Sequence, residues 1–368
     1  MTRKELSEYL SAISAPDHAA MDAAAKRQAQ LAKPPGSLGK LEELSIRLAG
    51  LTGQLYNHAE RCDVLVFAAD NGVVAEGVSS APQSVTLSQA LNMTRYATGM
   101  SCMAHALGYG VRVYDVGING EVPGGSAVVP CKVRYGTENL AVRPAMTESD
   151  VLQAISVGIA AAEQAKKDKL DAVGIGEMGI GNTTTSTAVL CALTGAEPAQ
   201  VTGRGGGLTD EGYAKKLHVI EHALALHQPN AADPIDVLAK VGGLDLAAMT
   251  GAYLGCAHAH LPAVADGLIS VVAALCAVRL CENARGAVFL SHASCEPGYR
   301  LAAEDLRLSP CLLLDMRLGE GSGCPLMFEI LRAACAVMNR MATFSEASIN
   351  DGYLDEIRRI DAFTPKKP

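Results

Sequence analysis

The chain has 368 residues, of which 49% are hydrophobic, so it can bury a large core in one or two domains. Its formal net charge is -8, its Lys and Arg residues are scattered among Asp and Glu, and it has 5 Phe and no Trp. A nucleic-acid-binding protein needs a basic surface and aromatic side chains that stack on bases, so this composition argues against that class.

The N-terminal sequence predicts three helices. Thr2 with Glu5 forms a capping-box pattern before an amphipathic run, so the chain is expected to open with a helix. A second helix is expected to end near Ala32. Residues 33–39 are rich in Pro and Gly, which indicates a loop, and the apolar spacing from Leu41 to Leu51 predicts a third helix.

Short apolar runs alternate with helical stretches from about residue 63 onward. The runs are 64–69, 111–116, 170–175, 263–265, 287–290 and 312–316, with a shorter candidate at 200–202. Thr147 with Asp150 caps a helix between two of these runs, as a crossover between parallel strands requires. The alternation predicts an α/β fold with a parallel sheet covered by helices on both faces.

Polar residues follow most of the predicted strands. They are Asp70, Asp115 or Gly117, Glu177, Gly203, Asp266, Ser291 with His292, and Glu320. Ligands of open parallel sheets bind beyond the carboxyl ends of the strands, so these residues are expected to border one cleft. A final helix over residues 326–341 and the tail after it are expected to return to the N-terminal helices.

The sequence favours a cytoplasmic protein without a metal site. The N-terminus lacks the apolar core of a signal sequence, and the apolar run at 268–278 is too short to cross a membrane. The 11 Cys residues are an odd number without CxxC pairs, which indicates buried free thiols. Cys256, His258 and His260 alternate like metal ligands, but Pro262 follows them, so they are interpreted as the end of a helix.

A glycine-rich segment follows the strand predicted at 170–175. Gly174, Gly176 and Gly179 have the spacing of a dinucleotide-binding turn, but the acid about twenty positions on, Glu197, precedes the next predicted strand. The same glycines could instead let backbone amides approach an anion, and a tight turn without a ligand is a third possibility. Glu177 lies among these glycines and is a candidate ligand-binding residue.

A second glycine-rich segment, residues 201–216, also leads from a loop into a helix. It lacks the GxxxxGK[ST] pattern of a triphosphate-binding loop, and we interpret it as a cradle for a monophosphate that Lys216 contacts from the helix. Lys215 is expected to be solvated. The small and polar residues 79–89 either edge a flat aromatic pocket or form a surface loop, and spacing alone leaves both open.

A single carboxylate, Glu320, lies between Gly319 and Gly321 after the last predicted strand. A general base needs one carboxylate that a substrate can reach, so Glu320 is a candidate for that role. An ordinary loop carboxylate is the alternative.

These segments, together with residues 33–39, 241–245 and 266–270, resemble the nicotinate-nucleotide:dimethylbenzimidazole phosphoribosyltransferase family over about residues 14–350. The resemblance implies a homodimeric enzyme with a Rossmann-like parallel sheet, expected at residues 60–319, and a small helical domain formed by residues 1–59 with 320–368. The implied reaction moves ribose 5-phosphate from nicotinate mononucleotide to a benzimidazole-type base. Its products are nicotinate and the α-ribazole 5'-phosphate used for the lower ligand of cobalamin.

The resemblance also implies roles for individual residues. Glu320 is expected to be the catalytic base, and Glu177 is expected to help hold the mononucleotide. Lys216 and the backbone near Gly179 and Gly205 are expected to engage the phosphate.

The pocket for the base is expected to border Gln89. Two departures from the family pattern bear on the choice of base: Ala81 stands where relatives carry a serine, and Asn71 replaces a histidine. The predicted substrate-binding set is completed by Leu318, Asp266 and Ser291. No cofactor or metal is expected, because the pyridinium of the mononucleotide leaves as a neutral ring.

Two other functions remain open at this point. One is an NAD-dependent oxidoreductase built on Gly174, Gly176 and Gly179, which the position of Glu197 disfavours. The other is a non-catalytic protein that binds a nucleotide or a corrinoid precursor, which the intact Glu320 disfavours.

Overall fold

The structure, a computed structural model, describes residues 1–359, and these form two compact units. The first unit contains Met1–Ser14 and Arg61–Met327, and the second contains Ala15–Glu60 and residues 328–359. The boundaries expected from the sequence assign residues 1–14 and 320–327 to the small domain, whereas the structure groups them with the sheet. Arg3 forms an ion pair with Asp233, and the Gly321 N–H donates to Asp266. Residues 360–368 of the expected small domain lie outside the described residues.

A parallel sheet forms the core of the first unit. Within residues 1–359 it has six strands, β1 Cys62–Ala69, β2 Gly110–Gly117, β3 Val129–Pro130, β4 Ala172–Met178, β5 Ala263–Ala265 and β6 Val288–Leu290. They are arranged β3-β2-β1-β4-β5-β6, and each neighbouring pair is parallel. This is the strand order of the Rossmann fold, so the predicted fold class is confirmed.

Helices account for most of the remaining described chain. They are α1 Arg3–Ser11, α2 His18–Gln30, α3 Lys40–Thr52, α4 Val85–Met93, α5 Gly99–Ala106, α6 Glu148–Lys167, α7 Asn182–Thr194, α8 Pro198–Val201, α9 Asp210–His227, α10 Pro234–Val241, α11 Leu244–His258, α12 Leu268–Leu280, α13 Gly298–Asp305, α14 Cys324–Arg340 and α15 Asp355–Arg359. In the described part of the chain, every helix is too short or too polar to cross a membrane.

The central strands are buried on both faces. Every residue of β4 is buried, and so are the six residues of β1 from Val64 onward. Side chains of a strand alternate between the two faces of a sheet, so continuous burial shows that both faces are covered. The apolar runs predicted at 64–69, 111–116, 170–175, 263–265 and 287–290 are therefore confirmed as strands.

Two predicted strands are wrong and one was missed. Among the described residues, the run at 312–316 makes only a single bridge, between Leu312 and His292. Leu313 is 84% exposed, so the apolar residues of this run mark a surface rather than a core. The candidate at 200–202 is instead the end of α8, which Pro198 begins at the position where proline favours a helix. The missed strand β3 is two exposed residues at the sheet edge.

Close backbone packing fixes α11 against α6. A Cβ on Gly158 would lie 1.8 Å from the Ala248 carbonyl oxygen, and one on Gly251 would lie 2.0 Å from the Ile155 carbonyl oxygen. Only glycine allows this approach, because any side chain would overlap the facing backbone. Since α11 also packs on β1, β2 and β4, this contact sets the position of Asp245 in its first turn.

The second unit is helical in the described residues. Ala24 of α2, Ala49 of α3 and Met338 of α14 form its buried cluster. The predicted loop at 33–39 contains turns, and its Lys33 forms a buried ion pair with Glu42 at 2.7 Å. The helices expected over residues 41–51 and 326–341 are confirmed as α3 and α14.

Candidate active site

A cleft opens beyond the carboxyl ends of β4, β5 and β6, within the first unit. Its volume is about 230 Å³. Eight residues that the sequence indicated for a site line it together: Ala81, Gln89, Glu177, Gly179, Gly205, Asp266, Leu318 and Glu320. Their convergence follows from the topology, because parallel strands end at one edge of the sheet.

Glu320 sits in the cleft wall with one carboxylate oxygen uncommitted. Its Oε2 accepts a hydrogen bond from the Met100 N–H at 3.0 Å, in the first turn of α5, and its own N–H donates to Glu177 Oε1 at 3.0 Å. Oε1 of Glu320 accepts no hydrogen bond from residues 1–359. Only 6% of the residue is exposed, so the carboxylate is fixed yet borders the cleft.

The loop that carries Glu320 has an unusual backbone. Gly319, Glu320 and Gly321 have φ values of 86°, 65° and 89°, so three consecutive residues are left-handed. A left-handed non-glycine residue costs free energy and persists where surrounding contacts fix it. Here the flanking glycines reduce the strain, and the hydrogen bonds to Met100 and Glu177 hold the residue in place.

A glycine in β4 lets this loop lie directly against the sheet. A Cβ on Gly176 would be 2.5 Å from the Glu320 carbonyl oxygen, and a Cβ on Gly319 would be 2.6 Å from Glu177 Oε1. Gly174 and Gly176 both lie inside the strand, whereas the glycines of a dinucleotide-binding turn follow it. Within this spacing, Gly176 therefore serves the packing of the Glu320 loop against β4.

Glu177 belongs to a buried polar network. Its Oε2 accepts a hydrogen bond from Asn182 Nδ2 at 2.5 Å, and the same nitrogen is 3.1 Å from Asp245 Oδ2. Burial raises the pKa of Glu177 to about 8, against the hydrogen bonds from Glu320 and Asn182, which favour the ionised form. Burial likewise raises the pKa of Asp245 to about 6.

Asp266 anchors the chain after Glu320. Its Oδ2 accepts from the Gly321 N–H at 3.1 Å and its Oδ1 from the Gly323 N–H at 2.7 Å. His292 Nδ1 is 3.6 Å from Oδ1. Burial raises the pKa of Asp266, and His292 opposes that shift.

Two predicted site residues lie behind the wall of the cleft. Ser291 is fully buried, and its Oγ donates to the Ala265 carbonyl oxygen at 2.8 Å. Lys216 is also fully buried, and its Nζ donates to Thr183 Oγ1 at 2.9 Å and to the Gly203 carbonyl oxygen at 3.0 Å. Burial lowers the pKa of Lys216 to about 8, and Glu296 opposes that shift. Lys216 thus supports a loop whose Gly205 lines the cleft.

Several lining residues were not selected from the sequence. They include Ser80, Arg204, Ser294, Glu296 and Arg317, whereas His292, expected at the rim of the cleft, does line it. Arg204 and Arg317 are next to residues of glycine-rich segments, a signal that could have identified them, whereas Glu296 has no distinguishing spacing.

The strand ends of β1 and β2 contribute nothing to the cleft wall. Asp70 and Asp115 are buried elsewhere, with Asp70 Oδ2 accepting from the Asn119 N–H at 2.7 Å. The prediction of one common rim therefore holds for the other half of the sheet only.

The alternating Cys256, His258 and His260 do not form a cluster of ligands. Cys256 and His258 lie in the last turns of α11, and His260 lies in the turn that follows. Among residues 1–359, no three His, Cys, Asp or Glu side chains are arranged to hold a metal ion.

The chain is similar to known proteins in sequence and in structure. Residues 13–349 match the family model described as phosphoribosyltransferase. A nicotinate-nucleotide–dimethylbenzimidazole phosphoribosyltransferase of Clostridium perfringens is 47% identical over 354 residues, 96% of this chain and 98% of the relative. A protein of the same name from Chloroflexus aggregans is 44% identical over 346 residues, 94% of this chain and 98% of the relative. The crystal structure of CobT from Thermus thermophilus has a TM-score of 0.87 and 42% identity, covering 91% of this chain and 100% of that chain.

Proposed function

Because the chain belongs to the nicotinate-nucleotide–dimethylbenzimidazole phosphoribosyltransferase family, we propose that its cleft carries out this family's reaction with Glu320 as the proton acceptor. The enzyme transfers the 5-phosphoribosyl group from nicotinate mononucleotide to a benzimidazole-type base, 5,6-dimethylbenzimidazole or an analogue. The products are nicotinate and an α-ribazole 5'-phosphate, which supplies the lower ligand of cobalamin.

The chemistry needs one proton acceptor. The bond from C1' to the pyridinium nitrogen breaks, and its electron pair leaves with nicotinate, whose ring becomes neutral. One azole nitrogen attacks C1' from the opposite face, inverts that carbon and leaves the azole ring positively charged. Loss of the proton on the second azole nitrogen to a carboxylate then gives the neutral product.

The observation that carries this proposal is the uncommitted Oε1 of Glu320. Oε2 and the backbone N–H of this residue are held by Met100 and Glu177, so the side chain is oriented before substrate binds. A general base must lie within hydrogen-bond reach of the proton that it removes, and Oε1 is the oxygen that can meet it. The negative charge also stabilises the positive charge that develops on the ribose and the azole.

The other lining residues suggest how the two substrates lie. We propose that the mononucleotide phosphate binds at Gly205 and near Gly179, with the Lys216 ammonium behind the loop. Glu177 helps hold the mononucleotide and supports the Glu320 backbone. The acceptor base is placed against Ala81, Gln89 and Leu318, and its choice among benzimidazoles depends on this wall. Asp266 and the buried Ser291 act by holding the loops around the cleft.

The test of the reaction is direct. The protein is incubated with nicotinate mononucleotide and a mixture of 5,6-dimethylbenzimidazole, benzimidazole, adenine and a phenol, and the products are identified by mass. We expect an α-ribazole phosphate together with stoichiometric nicotinate. Binding of the mononucleotide without any product would instead identify a non-catalytic relative.

A homodimer and a cytoplasmic location stay predictions. Leu313 and Leu314 are 84% and 49% exposed, which supports a dimer because pairing of two copies would cover apolar surface. Light scattering should then give twice the chain mass of 38.2 kDa.

A further inference from the structure

The cleft is lined by more carboxyl groups than guanidinium groups. Glu177, Asp266, Glu296 and Glu320 contribute carboxyl groups, whereas Arg204 and Arg317 contribute the cations among the lining residues. The mononucleotide brings one positive group, the pyridinium, and two negative groups, the phosphate and the ring carboxylate. The carboxylates of the cleft suit the pyridinium, so each negative group of the substrate needs its own donor.

The proposed phosphate site is at the loop of Gly205, and the neighbouring Arg204 already has hydrogen-bond partners within the protein. Its guanidinium donates to the Leu208 carbonyl oxygen at 2.9 Å and to Asp210 Oδ1 at 2.5 Å. It also stacks 5.3 Å from the centre of the Tyr213 ring. These partners, from the same loop and from the start of α9, hold the Arg204 side chain in place.

Arg317 is different, because its side chain is exposed and has no hydrogen bond, ion pair or ring contact with any of residues 1–359. Its backbone is nevertheless fixed on both sides. The Met316 carbonyl oxygen accepts from the Cys295 N–H at 3.1 Å, and the left-handed turn around Glu320 follows. A free guanidinium on an anchored loop is poised to bind a ligand.

Arg317 belongs to the loop that carries Glu320, whereas the proposed phosphate site is at the loop of Gly205. Arg317 lies three residues before Glu320 and directly before Leu318, whose Cδ2 would be 2.6 Å from a Cβ on Gly99. The same Cβ would be 3.9 Å from Glu320 Oε2, so the Leu318 side chain and the carboxylate of Glu320 both lie beside Gly99.

We propose that Arg317 binds the carboxylate of the nicotinate ring and so selects nicotinate mononucleotide over nicotinamide mononucleotide. A guanidinium can make two parallel hydrogen bonds to a carboxylate, whereas the neutral amide offers one acceptor and no charge. The contact exists before and after the C1' bond breaks, so it strengthens the binding of substrate and of released nicotinate alike. This inference rests on the proposed function.

The experiment compares kcat/KM for the two mononucleotides in wild type and in Arg317→Met. We expect Arg317→Met to lower kcat/KM for nicotinate mononucleotide by about ten- to a hundredfold and to change that for nicotinamide mononucleotide by less than about threefold. Inhibition by free nicotinate should weaken by a similar factor. Arg317→Lys, which keeps the charge but loses the fork, should fall between the two.

Arg204→Met is the matched control, since it removes the other cleft arginine. It should affect both mononucleotides alike and leave their ratio unchanged. If Arg317→Met keeps the wild-type ratio and the wild-type inhibition by nicotinate, the proposal is overturned. If wild type itself makes no product from nicotinate mononucleotide, the proposed function fails instead, and the two failures are distinguishable.

Discussion

The position of Glu320 should depend on a glycine in the neighbouring strand. In wild type, Gly176 of β4 lets the Glu320 loop lie against the sheet without a side chain between them. Gly176→Ala places a Cβ 2.5 Å from the Glu320 carbonyl oxygen and 3.0 Å from its carbonyl carbon. The contacting atoms are backbone, so the overlap cannot be relieved by a side-chain rotation.

The size of the effect follows from the overlap. Carbon–oxygen contacts between strands are about 3.3 Å or longer, so the oxygen must retreat by roughly 0.8 Å. A misplacement of about 1 Å can reduce a rate by about a hundredfold. We therefore expect Gly176→Ala to lower turnover by about ten- to a hundredfold at saturating concentrations of both substrates, with the folded state retained.

The control is Gly110→Ala, another strand glycine with a close contact. Its Cβ would lie 2.3 Å from Asp63 Oδ1, at the amino end of β2, and the residue does not line the cleft. Thermal melting of both variants reports the cost of packing, and steady-state assays report the cost to the reaction. A folded Gly176→Ala enzyme with wild-type turnover would refute the inference that this contact positions Glu320.

Three further predictions concern the rest of the site. Lys216→Ala should raise KM for nicotinate mononucleotide by about tenfold or more while lowering turnover less. The KM of wild type should rise above about pH 8, because Lys216 loses its proton there. Unchanged saturation curves would exclude Lys216 from phosphate binding. Ala81→Ser should change the ranking of competing bases without changing the affinity for the mononucleotide, and competition assays would contradict this if only mononucleotide binding changed. Burial raises the pKa of Glu177 from 4.5 to about 8, so between these pH values the folded protein binds more protons than the unfolded protein does. The contribution of Glu177 to stability is therefore present at low pH and is lost as the pH rises. The unfolding free energy of wild type should therefore fall relative to that of Glu177→Gln by up to about 1.4 kcal/mol per pH unit between about pH 6 and 8, and parallel curves in chemical denaturation would contradict the raised pKa.

Much of the fold could be predicted because the central strands are buried on both faces. A continuous apolar run between helical stretches, such as that of β4, is typical of a parallel strand covered on both sides. The run at 312–316 misled for the opposite reason, since its leucines are apolar but exposed. The edge strand β3 has two residues, including Pro130, and a pair of residues carries no periodicity.

The site was partly predictable for a similar reason. Glu177 and Glu320 stand out in the sequence as single acids among glycines, although Glu177 lies inside β4 and holds the Glu320 backbone. Sequence could not show that Lys216 is buried against the Gly203 carbonyl oxygen and Thr183, because its place on α9 does not say how deeply the helix is packed. Nor could it show that Gly176 faces Glu320, because that contact joins segments far apart in the chain.

The role of Glu320 is tested most directly by Glu320→Gln, which keeps the size of the side chain and removes its ability to accept a proton. Turnover with an N–H benzimidazole should fall by roughly two to four orders of magnitude, the usual range for general-base catalysis. An N-alkylated benzimidazole has no such proton to lose, so wild type and Glu320→Gln should use it at more similar rates. A folded Glu320→Gln protein with near-wild-type turnover of the N–H base at saturating substrates would contradict the assignment of Glu320 as the base.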